Sequence, residues 1–445
     1  MDGTTTLLLC MAACATAGPL LALRGPARRT PLHPALAFGV PYFLITTGPV
    51  VRWLVYDIEP YGIHLDVLGS ALAVAASAQA GILVGCALAR TIPPRARPYV
   101  LLRRPARFRR LALGCCVFAL ALATVSLAAR WHDLSLTGKV DLGAANTIWM
   151  RLHYASFFLL LALIPAVIVA DQMLEHRPLP RRTAAVVAAF GLICVLQSER
   201  DVALVLLMVP ISWLAVRGDP APRRGRTVRR RRVGLLQVGA AFAGVGLVLT
   251  VMQWARSGVA LGLADQASAL AEARQEGIVP ALLGLGSNLF IASRVVEWVP
   301  EEAPYEHGLT YVHTAENLLP SFVLPELRQE SLLDWFKQRY APTSQSGYGF
   351  GMEAEAYLNF GLAGPVLVFA LWAFFLCRVH AGWRALPGAL LYRYTYTFFV
   401  PFSLYCIRGD SLMCVKGLLY SVGAIWLVAR LSGSTAHARL GSAAA

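Results

Sequence analysis

The chain has 445 residues, of which 57% are apolar and only 15% charged. That composition lies outside the range of ordinary soluble domains and excludes a string of them. The net charge of +15 does not point to nucleic acid: 37 of the 40 basic residues are arginine, and most stand in short loops between apolar runs. That is the positive-inside pattern of a membrane protein rather than a basic face.

Apolar runs fall at 5–23, 35–55, 65–89, 111–129, 152–172, 183–198, 202–217, 233–254, 362–378, 389–405 and 412–430. A bilayer-crossing helix needs about 17–25 residues, which most of these runs supply. Met1–Thr6 carries no positive charge, and Arg24, Arg28 and Arg29 follow the first run. Residues 5–23 therefore read as a retained helix rather than a cleaved signal. Arginine-rich loops at 24–29, 90–110, 177–182 and 217–232, with basic flanks at 378–393 and 430–439, all fall on one side when the spans alternate. The sequence thus predicts an all-α polytopic membrane protein of about eleven transmembrane helices. Its N-terminus lies outside and its C-terminus inside, and residues 1–445 form a single membrane domain.

Between 183 and 217 the apolar pattern is broken by Ser198-Glu199-Arg200-Asp201. One continuous helix would bury three charges at mid-membrane, each costing about 2.5–3.5 kcal/mol. A hairpin of two short helices avoids this and places Arg200 at its outer tip. The nine cysteines lie in or beside apolar runs with no metal-type pair spacing, which disfavours a disulfide framework.

Residues 255–361 form one large outward loop holding thirteen of the 25 acidic residues. Segments 263–276 and 330–340 are amphipathic. Each either lies on the membrane interface or packs on the helix bundle. The stretch 278–299 is the loop's most apolar part, and full crossing there would reverse every later basic flank.

Four outward arginines stand at predicted membrane boundaries or in apolar loop pieces: Arg200, Arg256, Arg294 and Arg408. Guanidinium groups bind phosphate bidentately, so such a cluster suits a lipid pyrophosphate headgroup. The plain alternative is snorkelling or ion pairing, such as Arg200 with Asp201 and Arg408 with Asp410. In a helix, Glu355 would share a face with Asn359, and Glu353 with Tyr357. A carboxylate here suits a general base on a sugar hydroxyl, or else a helix N-terminus that favours acids. His313 and Glu316 form a second acid–base candidate; a metal site with His307 lacks a tight ligand motif. Gly347-Tyr-Gly-Phe-Gly351 follows no strand and reads as a flexible connection rather than a phosphate loop.

Several of these strings resemble the O-antigen and oligosaccharide repeat-unit polymerases (Wzy-type). They are Ser287-Asn-Leu-Phe290, Tyr305-Glu-His-Gly-Leu-Thr-Tyr311, Leu318-Leu-Pro320 and Gly351-Met-Glu-Ala-Glu-Ala-Tyr-Leu-Asn-Phe-Gly361 with Gly364. The Ser198-Glu-Arg200 and Arg408-Gly-Asp410 turns resemble that family's outward arginine turns, although Ser198-Glu199 replaces the glycine often found before the first. The resemblance implies a GT-C-like membrane glycosyltransferase in the bacterial inner membrane that joins undecaprenyl-pyrophosphate-linked oligosaccharide units. In that picture Arg200, Arg294 and Arg408 bind pyrophosphate, Glu355 or His313 handles the acceptor hydroxyl, and Tyr357 and Asn359 meet the sugar. No metal or cofactor is needed if arginine supplies the charge. Expected partners are membrane lipids, a chain-length regulator and a flippase, with no nucleic acid. Two other readings share the hydropathy: an O-antigen ligase, whose loop histidine motif the His313 segment does not resemble, and a polysaccharide flippase or transporter. The latter would carry charged or broken-helix sites near mid-membrane.

Overall fold

The computed structural model describes residues 3–23, 33–58, 63–92, 100–102, 104–129, 148–175, 180–196, 278–283, 288–318, 330–340, 350–385, 390–433 and 435–437. Nine of the eleven predicted spans fall on helices among these residues. Six lie in the first half: Gly3–Leu23, Gly39–Tyr56, Leu65–Thr91, Pro105–Ala129, Ile148–Glu175 and Arg181–Leu196. Three follow the loop: Ala363–Ala385, Leu390–Arg408 and Ser411–Leu431. The predicted spans 202–217 and 233–254, the Arg200 hairpin tip, Arg256 and the segment 263–276 lie outside the described residues.

Among the described residues, five helices are long and apolar enough to cross a membrane by length and composition: Pro34–Tyr56, Asp66–Thr91, Pro105–Ala129, Ala363–Gly382 and Ser411–Leu431. The chain is accordingly a helical, multi-pass membrane protein. The strands among the described residues form a two-stranded antiparallel ribbon. It pairs Val100 with His437, Leu101 with Ala436 and Leu102 with Thr435.

The chain divides into two compact units. The first comprises Met1–Pro93, Glu276–Arg378 and Phe402–Gly417; the second comprises Pro94–Gln275, Val379–Pro401 and Leu418–Ala445. In the second unit, Pro105–Ala129 packs along Ile148–Glu175. The first of these begins six residues before the predicted span because Pro105 opens it with a fixed φ at a position where no N–H is required. The arginines it thereby gains are placed to pair: Arg109 bonds the buried Asp171, which also accepts from the Thr183 hydroxyl. A buried carboxylate so partnered avoids most of its desolvation cost.

The first unit carries the candidate site. Its helix Leu65–Thr91 has Asp66 in the first turn and Arg90 in the last, both favourable to the helix dipole. At Gly81 and Gly85 it meets the backbone of Ala363–Ala385. A Cβ at those positions would lie 2.5 Å from the Val366 carbonyl oxygen and 2.1 Å from that of Ala370. The pair is a small-xxx-small crossing, the usual device for bringing membrane helices into backbone contact.

The described parts of the predicted loop are mostly helical and build their own core. Ile291 and Val295 of the helix Asn288–Trp298, Phe336 of Leu332–Tyr340, and Phe350, Ala354 and Leu358 pack together with Val74 of Leu65–Thr91. The apolar face of 330–340 is thus spent inside this core: Trp298 meets Trp335 edge-on with ring centres 6.0 Å apart, and Phe336 meets Phe350 at 6.0 Å. Ser331 caps that helix, accepting from the Asp334 N–H at 3.1 Å and donating to the Asp334 carboxylate at 2.6 Å.

Candidate functional site: a buried carboxylate tied to an arginine turn

Residues Met352–Phe360 form a helix in which every residue from Met352 to Asn359 is buried. Glutamate, alanine, methionine and leucine favour helix, and the acids occupy the first turn where the dipole favours them. Gly361 ends it at φ 59° and ψ −149°, a conformation available to glycine, and its N–H bonds the Tyr357 carbonyl at 2.8 Å. Three residues on, Gly364 lets the next helix press against the first. A Cβ there would lie 1.9 Å from the Ala356 carbonyl oxygen.

Glu355 is 1% exposed and collects three donors. The Thr310 hydroxyl donates to Oε1 at 2.9 Å, the Ser411 hydroxyl to the same oxygen at 2.6 Å, and the Ser411 N–H to Oε2 at 2.6 Å. The Ser411 hydroxyl is in turn 2.8 Å from that of Thr314. Since Ser411 gives its proton to Glu355, Thr314 is the donor in this last contact. Burial pushes the Glu355 carboxyl up to about 7; the Ser411 and Thr310 donors pull it back, and the Asp410 carboxylate adds to the rise. Burial also raises the Asp410 carboxyl, which accepts from the Met413 N–H at 2.9 Å and so caps the helix Ser411–Leu431.

Asn359 shares the face of Glu355, as a helix requires. Its Nδ2 donates to the Thr310 hydroxyl at 2.7 Å and to the Glu355 carbonyl at 2.8 Å, while its Oδ1 accepts from the Gly308 N–H at 2.8 Å. Gly308 takes φ 95°, which frees that N–H to point at the asparagine. Tyr357 faces the loop core instead: its hydroxyl donates to the Val299 carbonyl at 3.3 Å, and its ring stands edge-on to Tyr305 at 6.1 Å.

Glu353 is equally buried, at 1% exposure, yet neither of its oxygens makes a hydrogen bond of good geometry. Burial lifts its carboxyl to about 7, offset in part by its own backbone N–H and by the neighbouring Asn288 amide.

Of the arginines, Arg408 lies partly buried in the last turn of Leu390–Arg408, three residues before Ser411. Arg294 sits on Asn288–Trp298, where its Nη1 pairs with Glu297 at 2.6 Å and its guanidinium lies 5.7 Å over the Phe290 ring. His313 is partly buried on the helix Leu309–Glu316, next to Thr314. The structure therefore joins Glu355, Asn359 and the turn after Arg408 in one hydrogen-bonded network, with His313 adjacent and Tyr357 turned away. Arg200 falls outside the described residues. Among the described residues no group of three or more His, Cys, Asp or Glu is placed to hold a metal ion.

Sequence reading passed over Asn288, Thr310, Thr314 and Ser411. Asn288 and Thr310 fall inside the quoted strings, and Ser411 follows Arg408-Gly-Asp410 directly, so the signal lay in the neighbours of the chosen residues. No curated protein and no solved structure matches the chain. Residues 224–434, just under half of the chain, match the family model for the O-antigen polysaccharide polymerase Wzy, and this stretch holds the whole network around Glu355. The match supports, over residues 224–434, the resemblance to the Wzy-type polymerases.

Proposed function

We propose that the protein is a glycosyltransferase that polymerises undecaprenyl-pyrophosphate-linked oligosaccharide units at the periplasmic face of the inner membrane. The observation that carries this reading is the family match over 224–434, which encloses both the buried acidic helix and the arginine turn tied to it. The growing chain is the donor. A terminal hydroxyl of a fresh lipid-linked unit attacks its anomeric carbon, the bond from that carbon to the pyrophosphate oxygen breaks, and the electron pair leaves on the pyrophosphate. Arg200, Arg294 and Arg408 stabilise that developing charge, which is larger in the transition state than in the ground state.

The hydroxyl proton passes to Glu355 or to His313. A carboxyl lifted to about 7 is matched to taking a proton near neutral pH. The Thr314 and Ser411 hydroxyls form a hydrogen-bonded path to Glu355, which is otherwise sealed from solvent. Direct sugar contacts by Asn359 and Tyr357 require their present bonds to Gly308, Thr310 and Val299 to be exchanged for substrate ones. Residues 255–361 form the periplasmic loop, in a GT-C-like membrane domain of about eleven spans. A chain-length regulator and a flippase are the partners such a reaction calls for.

The test uses the purified protein in lipid vesicles with a lipid-linked repeat unit carrying a fluorescent sugar. Wild type yields a ladder of chain lengths. Arg408→Ala and Arg200→Ala, at wild-type level in the membrane, leave single units, and the lysine variants restore little because a point charge lacks the bidentate fork. Normal ladders from both alanine variants overturn the pyrophosphate assignment, and no ladder from wild type overturns the reading as a whole.

A further inference from the structure

Asn288 is fully buried at the start of the helix that carries Arg294. Its Nδ2 donates to the carbonyl of Ile407, the residue before Arg408. That carbonyl belongs to the last turn of Leu390–Arg408, where carbonyls have no partner within their own helix. A side-chain donor from elsewhere in the fold is therefore the natural cap, and it supplies a tether between two arginine-bearing elements. Gly351 leaves room for it: a Cβ there would lie 2.5 Å from Asn288 Nδ2. On the far side of the turn, Ser411 is bound by Glu355. The three residues from Arg408 to Asp410 are thus held at both ends by side chains from the segment 288–355.

We infer that Asn288 is a positioning residue for Arg408, fixing the helix end that bears it to the helix that bears Arg294 and so holding the Arg408 guanidinium in place for a diphosphate. The inference rests on the reading of Arg408 as a diphosphate ligand. A diphosphate presents two anionic centres joined through one oxygen, and bidentate binding by planar guanidinium groups is intolerant of small displacements. Asn288 touches no substrate; its effect passes through Arg408.

A double-mutant cycle separates this role from general structural support. The variants are Asn288→Asp, which keeps the side-chain volume but replaces the donor by an acceptor, Arg408→Ala, and the pair. Affinity for undecaprenyl pyrophosphate in nanodiscs is read by tryptophan fluorescence and checked by competition with inorganic pyrophosphate. Asn288→Asp is expected to weaken binding on the order of 10-fold, the scale of one hydrogen bond to a charged group. In the Arg408→Ala background it should add less than about 2-fold. Asn288→Gln, which retains an amide donor, should recover most of the affinity, and it serves as the test if the aspartate variant does not accumulate. Equal losses from Asn288→Asp in both backgrounds, or full affinity in that variant, overturn the positioning role while leaving Arg408 as a ligand. If Asn288→Asp does not accumulate, Asn288→Gln with affinity as low as Arg408→Ala overturns it as well. Full affinity in Arg408→Ala overturns the underlying reading instead, and the inference with it.

Discussion

Glu353 and Glu355 stand two residues apart on one helix, equally buried, and both carboxyls are lifted to about 7 chiefly by burial. Their surroundings nevertheless differ. Glu355 gathers three hydrogen-bond donors from two other elements, whereas Glu353 has none of good geometry and looks toward Asn288 and the buried hydroxyl of Tyr42. Equal titration behaviour therefore conceals unequal roles. Burial sets the proton affinity of each, while the partners decide how much of the fold and of the site depends on it.

The comparison breaks first at Glu355. Glu355→Gln keeps one acceptor oxygen but turns an amide against the Ser411 N–H, so it loses both the proposed base and one end of the arginine turn. Polymer in the vesicle assay should fall about 10²–10⁴-fold, with single-unit lipid accumulating. A wild-type ladder from this variant would leave His313 as the base. Ser411→Ala sharpens the point with a smaller loss. The backbone N–H still reaches Oε2, but the hydroxyl bond to Oε1 and the acceptor for Thr314 vanish, and polymer should fall roughly 10-fold, about the worth of one charge-assisted hydrogen bond. No loss would show that the hydroxyl path from Thr314 is idle.

Glu353 supplies the smallest effect on polymer and the clearest effect on stability. Its pKa rises from 4.5 to about 7 on folding. Between those values the unfolded chain loses the proton while the folded chain holds it. Stability therefore declines as pH rises from about 4.5 to about 7 and levels off above, by on the order of 3 kcal/mol per group. Glu353→Gln removes that contribution: it should match wild type at pH 4.5, exceed it at pH 8 in thermal unfolding, and polymerise normally. Identical pH dependence in variant and wild type would show that Glu353 keeps its charge in the fold.

The helices were readable because a bilayer permits few solutions: the apolar runs that predict helices lie on helices at all nine positions that the structure describes. Glu355 and Asn359 were readable as neighbours because helix spacing alone puts them on one face. What sits opposite them was not. Thr310, Ser411 and the Ile407 carbonyl meet their partners across 45, 56 and 119 residues of chain, through packing that no local pattern encodes. The aromatic face of 330–340 was ambiguous for the same reason, since an amphipathic stripe says that a surface is covered without saying by what.

The contact of Gly364 with the Ala356 carbonyl, together with those of Gly81 and Gly85 with Val366 and Ala370, removes adjustable parts from the mounting of the acidic helix. A methyl group at any of these glycines would meet main chain, and main chain has no rotamer in which to yield. The pitch of that helix is accordingly a constant of the scaffold. On the proposed function, acceptance of a different sugar would have to be learned by exposed residues of the surrounding loop, one side chain at a time, while the glutamate behind them stays where three missing side chains have put it.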